Sequence, residues 1–442
     1  MKKFKKIFLL YISAALALIS CTKEEMSHPN GINPSTKADH ALVMYCAGFN
    51  NLSSDLQNNI ETMKSGWIPE KDGRTMFFTL EHFPTKPGFY SDMNAPVLKR
   101  IWREGKKIVT KDVLHFPDRI IASDALTVGQ VFHFLMSHYD IKSFGMIFSS
   151  HSTGYLPRGY YTNSSAMEGK FPDFFNAETA KLSYSKWREI LAYDGLYPNL
   201  AIENQDIPTK SMGSDFIKEL DGLKLYKEME IYDFARAIPV KLDYLLMDTC
   251  LMGGIEVAWE FKDICNCVGF SQTEVLTAGI DYSHVGQYLL LEQPSNVISI
   301  GEDYIKYYMQ QDGDYQSATW STIDCSKLEP LADVCTELFE KYRNNLNNMS
   351  EYNVQRYYRF DYHWFYDLRS IIRNAGANEE ELNRLDQALD ACVIYKGATP
   401  KFLGININEH SGLSMMLPSY AGEYLTSKYH LLRWNQKTHL VD

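Results

Sequence analysis

The sequence predicts an α/β protein built around one layered sheet with mostly parallel central strands. Three observations carry that prediction. The runs at 41–47 (ALVMYCA), 144–148 (FGMIF) and 242–247 (LDYLLM) are apolar almost throughout rather than alternating, as strands buried on both faces are. Segments with apolar residues at helical spacing lie between such runs, and strands alternating with helices give layered sheets. A chain of 442 residues with 45% hydrophobic content can also bury a large core.

From the N-terminus, Lys2, Lys3, Lys5 and Lys6 precede an apolar stretch over 7–19, too short to span a bilayer comfortably and typical of a secretory signal. It ends in Leu18-Ile19-Ser20-Cys21, which resembles a bacterial lipobox. On that reading residues 1–20 are removed and Cys21 is lipidated, tying the protein to a membrane. The alternative is an ordinary signal peptide with a cysteine near its end. Lys23-Glu24-Glu25 resembles a tag that sends some Gram-negative lipoproteins to the cell surface, so the expected location is the outer membrane, on its exposed side. Losing the signal removes four lysines and no acid, which moves the formal charge from −11 to −15. Such an acidic chain suits neither nucleic acid nor an anionic membrane surface as a partner.

Residues 21–40 are polar, with Pro and Gly, and read as a tether. The strand at 41–47 is followed by a helix carrying Leu56, Ile60 and Met63, then by strands at 75–80 and, more exposed, 97–103. Residues 126–138 are helical, with Val128, Val131, Phe134 and Leu135 on one face. After the strand at 144–148, residues 155–212 lose periodicity and read as an insertion. A helix is expected over 214–237, then strands at 242–247, 264–270 and 318–323. From about 326 a helical elaboration follows, with a Tyr-rich segment at 352–366, an apolar strand at 413–417 and a short helix.

Two strand ends hold residues able to do chemistry. His151 follows the run at 144–148, and Cys250 follows the run at 242–247. Ligands bind beyond the carboxyl ends of strands in such sheets. If the two strands are parallel neighbours, thiol and imidazole emerge on one rim. A thiolate is the nucleophile, and a base or a helix N-terminus must favour it. Residues 251–261 have helical spacing, which would put Cys250 near such a terminus. The Cys250 amide, with one from Ser152 or Gly154, could form an oxyanion hole. The plainer alternative makes Cys250 a small core residue and His151 a polar loop residue. With Cys21 lipidated, seven cysteines remain, so at least one lacks an intramolecular partner.

These residues resemble a family. SSHSTGY (149–155) and LLMDTCLMGGIEVAWEFKD (245–263) are similar to the histidine and cysteine motifs of the clostripain-like cysteine peptidases. MYCAGFNNL (44–52), GFSQTEVLTAGIDY (269–282) and GLSMMLP (412–418) resemble further pieces in the same order. The resemblance implies a caspase-like α/β/α sandwich over 41–442 and an endopeptidase that cleaves peptide substrates after basic residues, and we expect a monomer. His151 would then be the general base and Cys250 the nucleophile. Asp248 would line the specificity pocket, with Asp281 as its second acid and Glu274 a weaker choice. The resemblance also admits activation by cleavage within the insertion, where Arg158, Lys170, Lys181, Lys186, Arg188 and Lys210 lie. No cofactor is required by the sequence. Calcium serves some relatives, and the acidic loops here single out no ligands for it. Two departures stand out: Ser152 follows the histidine where Gly is usual, and Phe49 replaces a common acid.

Three rival chemistries fit less well. A nucleophile elbow needs Gly where Asp248 stands and a base after the nucleophile, not before it. A zinc hydrolase would show HExxH, and His133 and His138 are one residue too far apart to share a helix face. A surface lipoprotein binding peptide or glycan without catalysis is the remaining alternative, and the Tyr-rich segment would suit it.

Overall fold

The computed structural model describes residues 36–86, 88–90, 94–117, 120–157, 211–220, 223–359 and 364–441. Residues 21–35 of the expected tether, Cys21 among them, and the six basic residues named in the insertion lie outside them. The tether's last residues are ordered: Lys37–Ala38 pair in parallel with Asp140–Ile141, and His40 opens the first sheet strand. Strand β1 (His40–Ala47) is buried along its whole length, then come α1 (Ser53–Ser65), β2 (Thr75–His82), β3 (Val97–Glu104) and β4 (Lys107–His115). Helix α2 (Ala125–His138) starts where the Asp124 side chain accepts from the Leu126 amide, and β5 (Phe144–Ser149) follows. After the insertion come β6 (Ser211–Leu220), β7 (Leu223–Glu230), α3 (Ile231–Ala237), β8 (Leu242–Asp248), α4 (Ile255–Phe261) and β9 (Cys265–Phe270). The rest comprises α5 (Val297–Met309), β10 (Thr319–Asp324), α6 (Leu328–Asn348), α7 (Leu368–Asn374), α8 (Glu379–Cys392), β11 (Val393–Ala398), α9 (Gly422–Tyr429) and α10 (Arg433–Thr438).

Nine strands form one sheet in the order β11-β10-β9-β8-β5-β1-β2-β3-β4. The five strands from β9 to β2 are mutually parallel, and two antiparallel strands extend each edge. Because β1 exposes neither face, its side chains feed two cores. Ala41, Val43 and Tyr45 meet α2, α3, α4 and α6 on one side. Leu42, Met44 and Cys46 meet α1 and α5 on the other. The result is a three-layer α/β/α sandwich. Strand β11 also shows that the C-terminal elaboration contributes to the sheet rather than only covering it.

Two expectations fail. Residues 214–237 are mainly the antiparallel pair β6–β7, and only α3 is helical. The apolar residues at helical spacing there misled; Asp221-Gly222, a strong hairpin signal between Leu220 and Leu223, is the sequence feature that matches the pairing. At 413–417, only Ser414–Met415 is strand, paired with Tyr366–Asp367.

Candidate active site

The sheet register builds the site. Ser149 on β5 pairs with Asp248 on β8 in parallel. His151 and Cys250 therefore stand two residues beyond paired positions on neighbouring strands, on one rim. The chain leaves β1 toward β2 on one side and returns with β5 on the other, so the rim lies at a crossover point where ligands settle. The two turns are joined directly: the Ser152 hydroxyl donates to the Cys250 carbonyl oxygen at 2.5 Å. A Cβ at Gly154, whose φ is +60°, would lie 2.4 Å from the Leu251 carbonyl oxygen. Glycine is needed there for both the turn and the close approach.

The cysteine turn is held from its other side by the segment after β9. The Leu251 amide donates to the Thr273 carbonyl at 2.9 Å, and the Gly253 amide to that of Ser271 at 2.7 Å. The Val275 amide donates to the Cys250 sulfur at 3.4 Å, and the thiol faces the Val275 carbonyl at 3.8 Å. Burial pushes the thiol up to about 12, and the carboxylates of Glu274 and Asp248 add to the rise while Arg359 opposes it. The expected help from a helix N-terminus is not there: α4 begins only at Ile255, and Leu251 has φ +62°. Dipole effects fade within one turn. At neutral pH the Cys250 side chain is thus a protonated thiol.

His151 is half-buried, and burial holds its imidazole below the ordinary value, so the ring is neutral at pH 7. Its Nε2 lies 2.7 Å from Asn51 Oδ1, just past β1, a residue the sequence reading did not single out. No hydrogen bond joins the ring to the thiol among the described residues. The amides of Cys250 and Ser152 donate to no backbone carbonyl among the described residues.

Asp248 is buried beside the cysteine. Its Oδ2 accepts from the Tyr282 hydroxyl at 2.6 Å and more distantly, at 3.4 Å, from the Ser149 hydroxyl. Its Oδ1 has no partner among the described residues. Burial raises its carboxyl above the usual range, against the pull of Tyr282, Ser149 and the Ile280 backbone amide. Both oxygens face Gly279, where a Cβ would come within 2.8 Å. The two other acids are engaged elsewhere. Asp281 accepts from the Ser283 amide at 3.0 Å and hydroxyl at 2.6 Å, and sits with His284 and Asp303. Glu274 is gripped bidentately by Arg359, at 2.7 and 3.1 Å. Neither carboxylate contacts Asp248 in a hydrogen bond or ion pair among the described residues.

The departures also find physical roles. Phe49 stacks on His82 with centroids 4.9 Å apart, and its amide donates to Asp215 Oδ1 at 3.1 Å. An acid is thus present beside Phe49, supplied by β6. Glu256 is structural: it accepts from the Met416 amide at 2.9 Å and the Tyr429 hydroxyl at 2.8 Å.

Comparison with known proteins matches this arrangement. No curated protein matches the chain. Among solved structures, an inactive zymogen C11 protease from Parabacteroides distasonis shares 22% identity, covering 92% of this chain and 99% of its own, with a TM-score of 0.67. A secreted C11 cysteine protease from Bacteroides thetaiotaomicron, in complex with an irreversible peptide inhibitor, shares 18% identity over 91% and 99%, also at 0.67. These likenesses establish the common caspase-like fold. The clostripain family (peptidase C11) profile matches residues 199–439, more than half of the chain and including Cys250. With a cysteine-bearing turn at the parallel sheet's rim and that match, the chain belongs to the clostripain family and is a cysteine-type peptidase.

Proposed function

We propose that this peptidase is a secreted, lipid-anchored endopeptidase that cleaves after Arg or Lys through an acyl-enzyme on Cys250. The observation that carries the specificity is the unpartnered Oδ1 of Asp248, desolvated two residues from the nucleophile. A buried carboxylate left half-satisfied is costly. A substrate guanidinium or ammonium would satisfy it, the former bidentately. In the reaction, His151 takes the thiol proton as sulfur attacks the scissile carbonyl. The developing oxyanion is met by the amides of Cys250 and Ser152. The imidazolium then protonates the leaving amine, and water hydrolyses the thioester. Since thiol and imidazole are both neutral at rest, proton transfer accompanies attack instead of preceding it.

Fluorogenic peptides ending in Arg, Lys, Asp or Ala test this. Wild type is expected to cleave after Arg and Lys, and Cys250→Ala to cleave nothing. Asp248→Asn should lower kcat/KM on Arg about 100-fold or more, since truncating one side of a buried charge pair costs several kcal/mol. Cleavage after Asp, or an Arg preference that survives Asp248→Asn, would falsify the pocket assignment.

Anchoring rests on the 1–20 signal and Cys21. The mature chain is proposed to be a monomer on the exposed face of an outer membrane, held by lipid on Cys21. Cys21→Ala should shift the protein from the detergent phase to the aqueous phase in detergent partitioning and abolish fatty-acid labelling. Labelling that persists would locate the lipid elsewhere.

A further inference from the structure

Beside the base lies Asn51, which falls within the MYCAGFNNL stretch but takes no role from it. We propose that Asn51 is a positioning residue that fixes the His151 tautomer, keeping the ring proton on Nε2 so that Nδ1 receives the Cys250 proton. This rests on the peptidase reading above with His151 as base.

Asn51 Oδ1 lies 2.7 Å from His151 Nε2. An amide oxygen can only accept, so Nε2 carries hydrogen. A neutral imidazole has a single N–H, which leaves the lone pair on Nδ1. The two loops are held in place independently of this contact, by one segment of β6. Asn50, fully buried, donates from Nδ2 to the Ala47 carbonyl at 3.0 Å and to that of Ser214 at 2.6 Å. The Gly213 amide donates to the His151 carbonyl at 2.8 Å, and the Ser214 amide to the Ser150 hydroxyl at 3.1 Å. Both partners therefore hang from residues 213–214, and their side chains meet at a set separation. During acylation the S–H bond breaks and its proton passes to Nδ1 as sulfur bonds to the carbonyl carbon. Nδ1 then gives that proton to the leaving nitrogen as the C–N bond breaks. The Nε2–H stays on Asn51 through both steps and shares the positive charge while it exists.

Two readouts test the assignment. On the Arg peptide, Asn51→Ala should lower kcat about 10- to 100-fold with KM within about twofold, a loss typical of a mis-set general base. Asn51→Asp should instead shift the acid limb of kcat/KM to higher pH, because an anionic acceptor favours the imidazolium. The second readout needs no turnover. In Cys250→Ala protein, histidine ¹⁵N NMR assigned with His151→Gln should show the Nε2–H form, and Asn51→Ala should mix the two tautomers. An Asn51→Ala kcat within threefold of wild type, or a His151 ring found as the Nδ1–H form, overturns the proposal. If wild type cleaves no peptide, the peptidase reading fails by itself and the NMR tautomer still decides the role of Asn51.

Discussion

A Cβ at position 279 would lie 2.8 Å from both Asp248 oxygens, and φ there is +62°. Gly279→Ala should therefore cost about 1 kcal/mol of stability, from forcing an L side chain into the left-handed region. It should lower kcat/KM on Arg peptides at least about tenfold by occupying the space before the carboxylate, whereas iodoacetamide should still reach Cys250. A kinetic comparison with Asp248→Asn checks it: unchanged Arg turnover in Gly279→Ala would place the basic side chain elsewhere. The titrations of the site set its pH response. A general base works unprotonated, and burial lowers the His151 pKa, so the neutral ring persists to lower pH than an ordinary histidine. With Asp248→Asn removing the other titrating carboxyl, the acid limb of kcat/KM should centre below about 6.5. A limb above pH 7 would contradict the burial account. At this scale the sequence drew attention to Cys250 and His151 by residue type and strand-end position, and to Asp248 only through the family resemblance. Asn51 and Val275 act through contacts with a side chain 100 and 25 residues away in sequence, which no local pattern encodes.

The β6–β7 hairpin joins the insertion to the site through one buried acid. Asp215 accepts from the Phe49 amide at 3.1 Å and the Ser123 amide at 2.7 Å, and its Oδ2 lies 3.2 Å from His82 Nδ1. Burial alone would push its carboxyl up, yet His82 and the two amides hold it below the ordinary range. Asp215→Ala should destabilise the protein by about 3–5 kcal/mol in urea unfolding, the cost of stripping one partner from a buried pair. Because the folded value is depressed, the contribution of Asp215 is present above about pH 3.9 and lost as pH falls through the folded value. A wild-type minus Asp215→Ala difference that stays constant down to pH 2 would remove the charge from the account. The expected helix over 214–237 failed for the same reason. Apolar spacing there is compatible with a helix, but only an extended strand carries Asp215 to three separate segments at once.

Across the whole molecule, the insertion connects two halves of a single sheet. Strands β1 to β5 precede it and β8 to β11 follow it, and the halves meet at the parallel pairing of Tyr244–Asp248 with Gly145–Ser149. If the enzyme cuts itself within 158–210, both fragments should co-elute as one species in gel filtration and part only in denaturant. Wild type and Cys250→Ala incubated side by side test the first clause: identical single-chain bands would exclude self-cleavage. Fragments that separate without denaturant would show that the β5–β8 seam and its shared cores do not hold the halves. An interface that includes an unbroken sheet is of the obligate kind, which rarely dissociates.

By itself the sequence determined the layered α/β architecture and, through its family resemblance, singled out His151 and Cys250 as the candidate pair. Runs apolar throughout suit strands buried on both faces, and the cysteine and histidine at their carboxyl ends took catalytic roles only through the resemblance to the family. The tertiary structure alone decided the strand register and which partners each candidate acid meets. Asp248 and Asp281 look alike in sequence, yet one is desolvated with an oxygen unpartnered and the other is turned onto Ser283. The difference lies in burial and hydrogen-bond partners, which arise only when distant segments close around a side chain. The expected placement of Cys250 at a helix N-terminus gave way for the same reason: burial dominates the state of its thiol, and the Val275 contact from a distant segment opposes that rise.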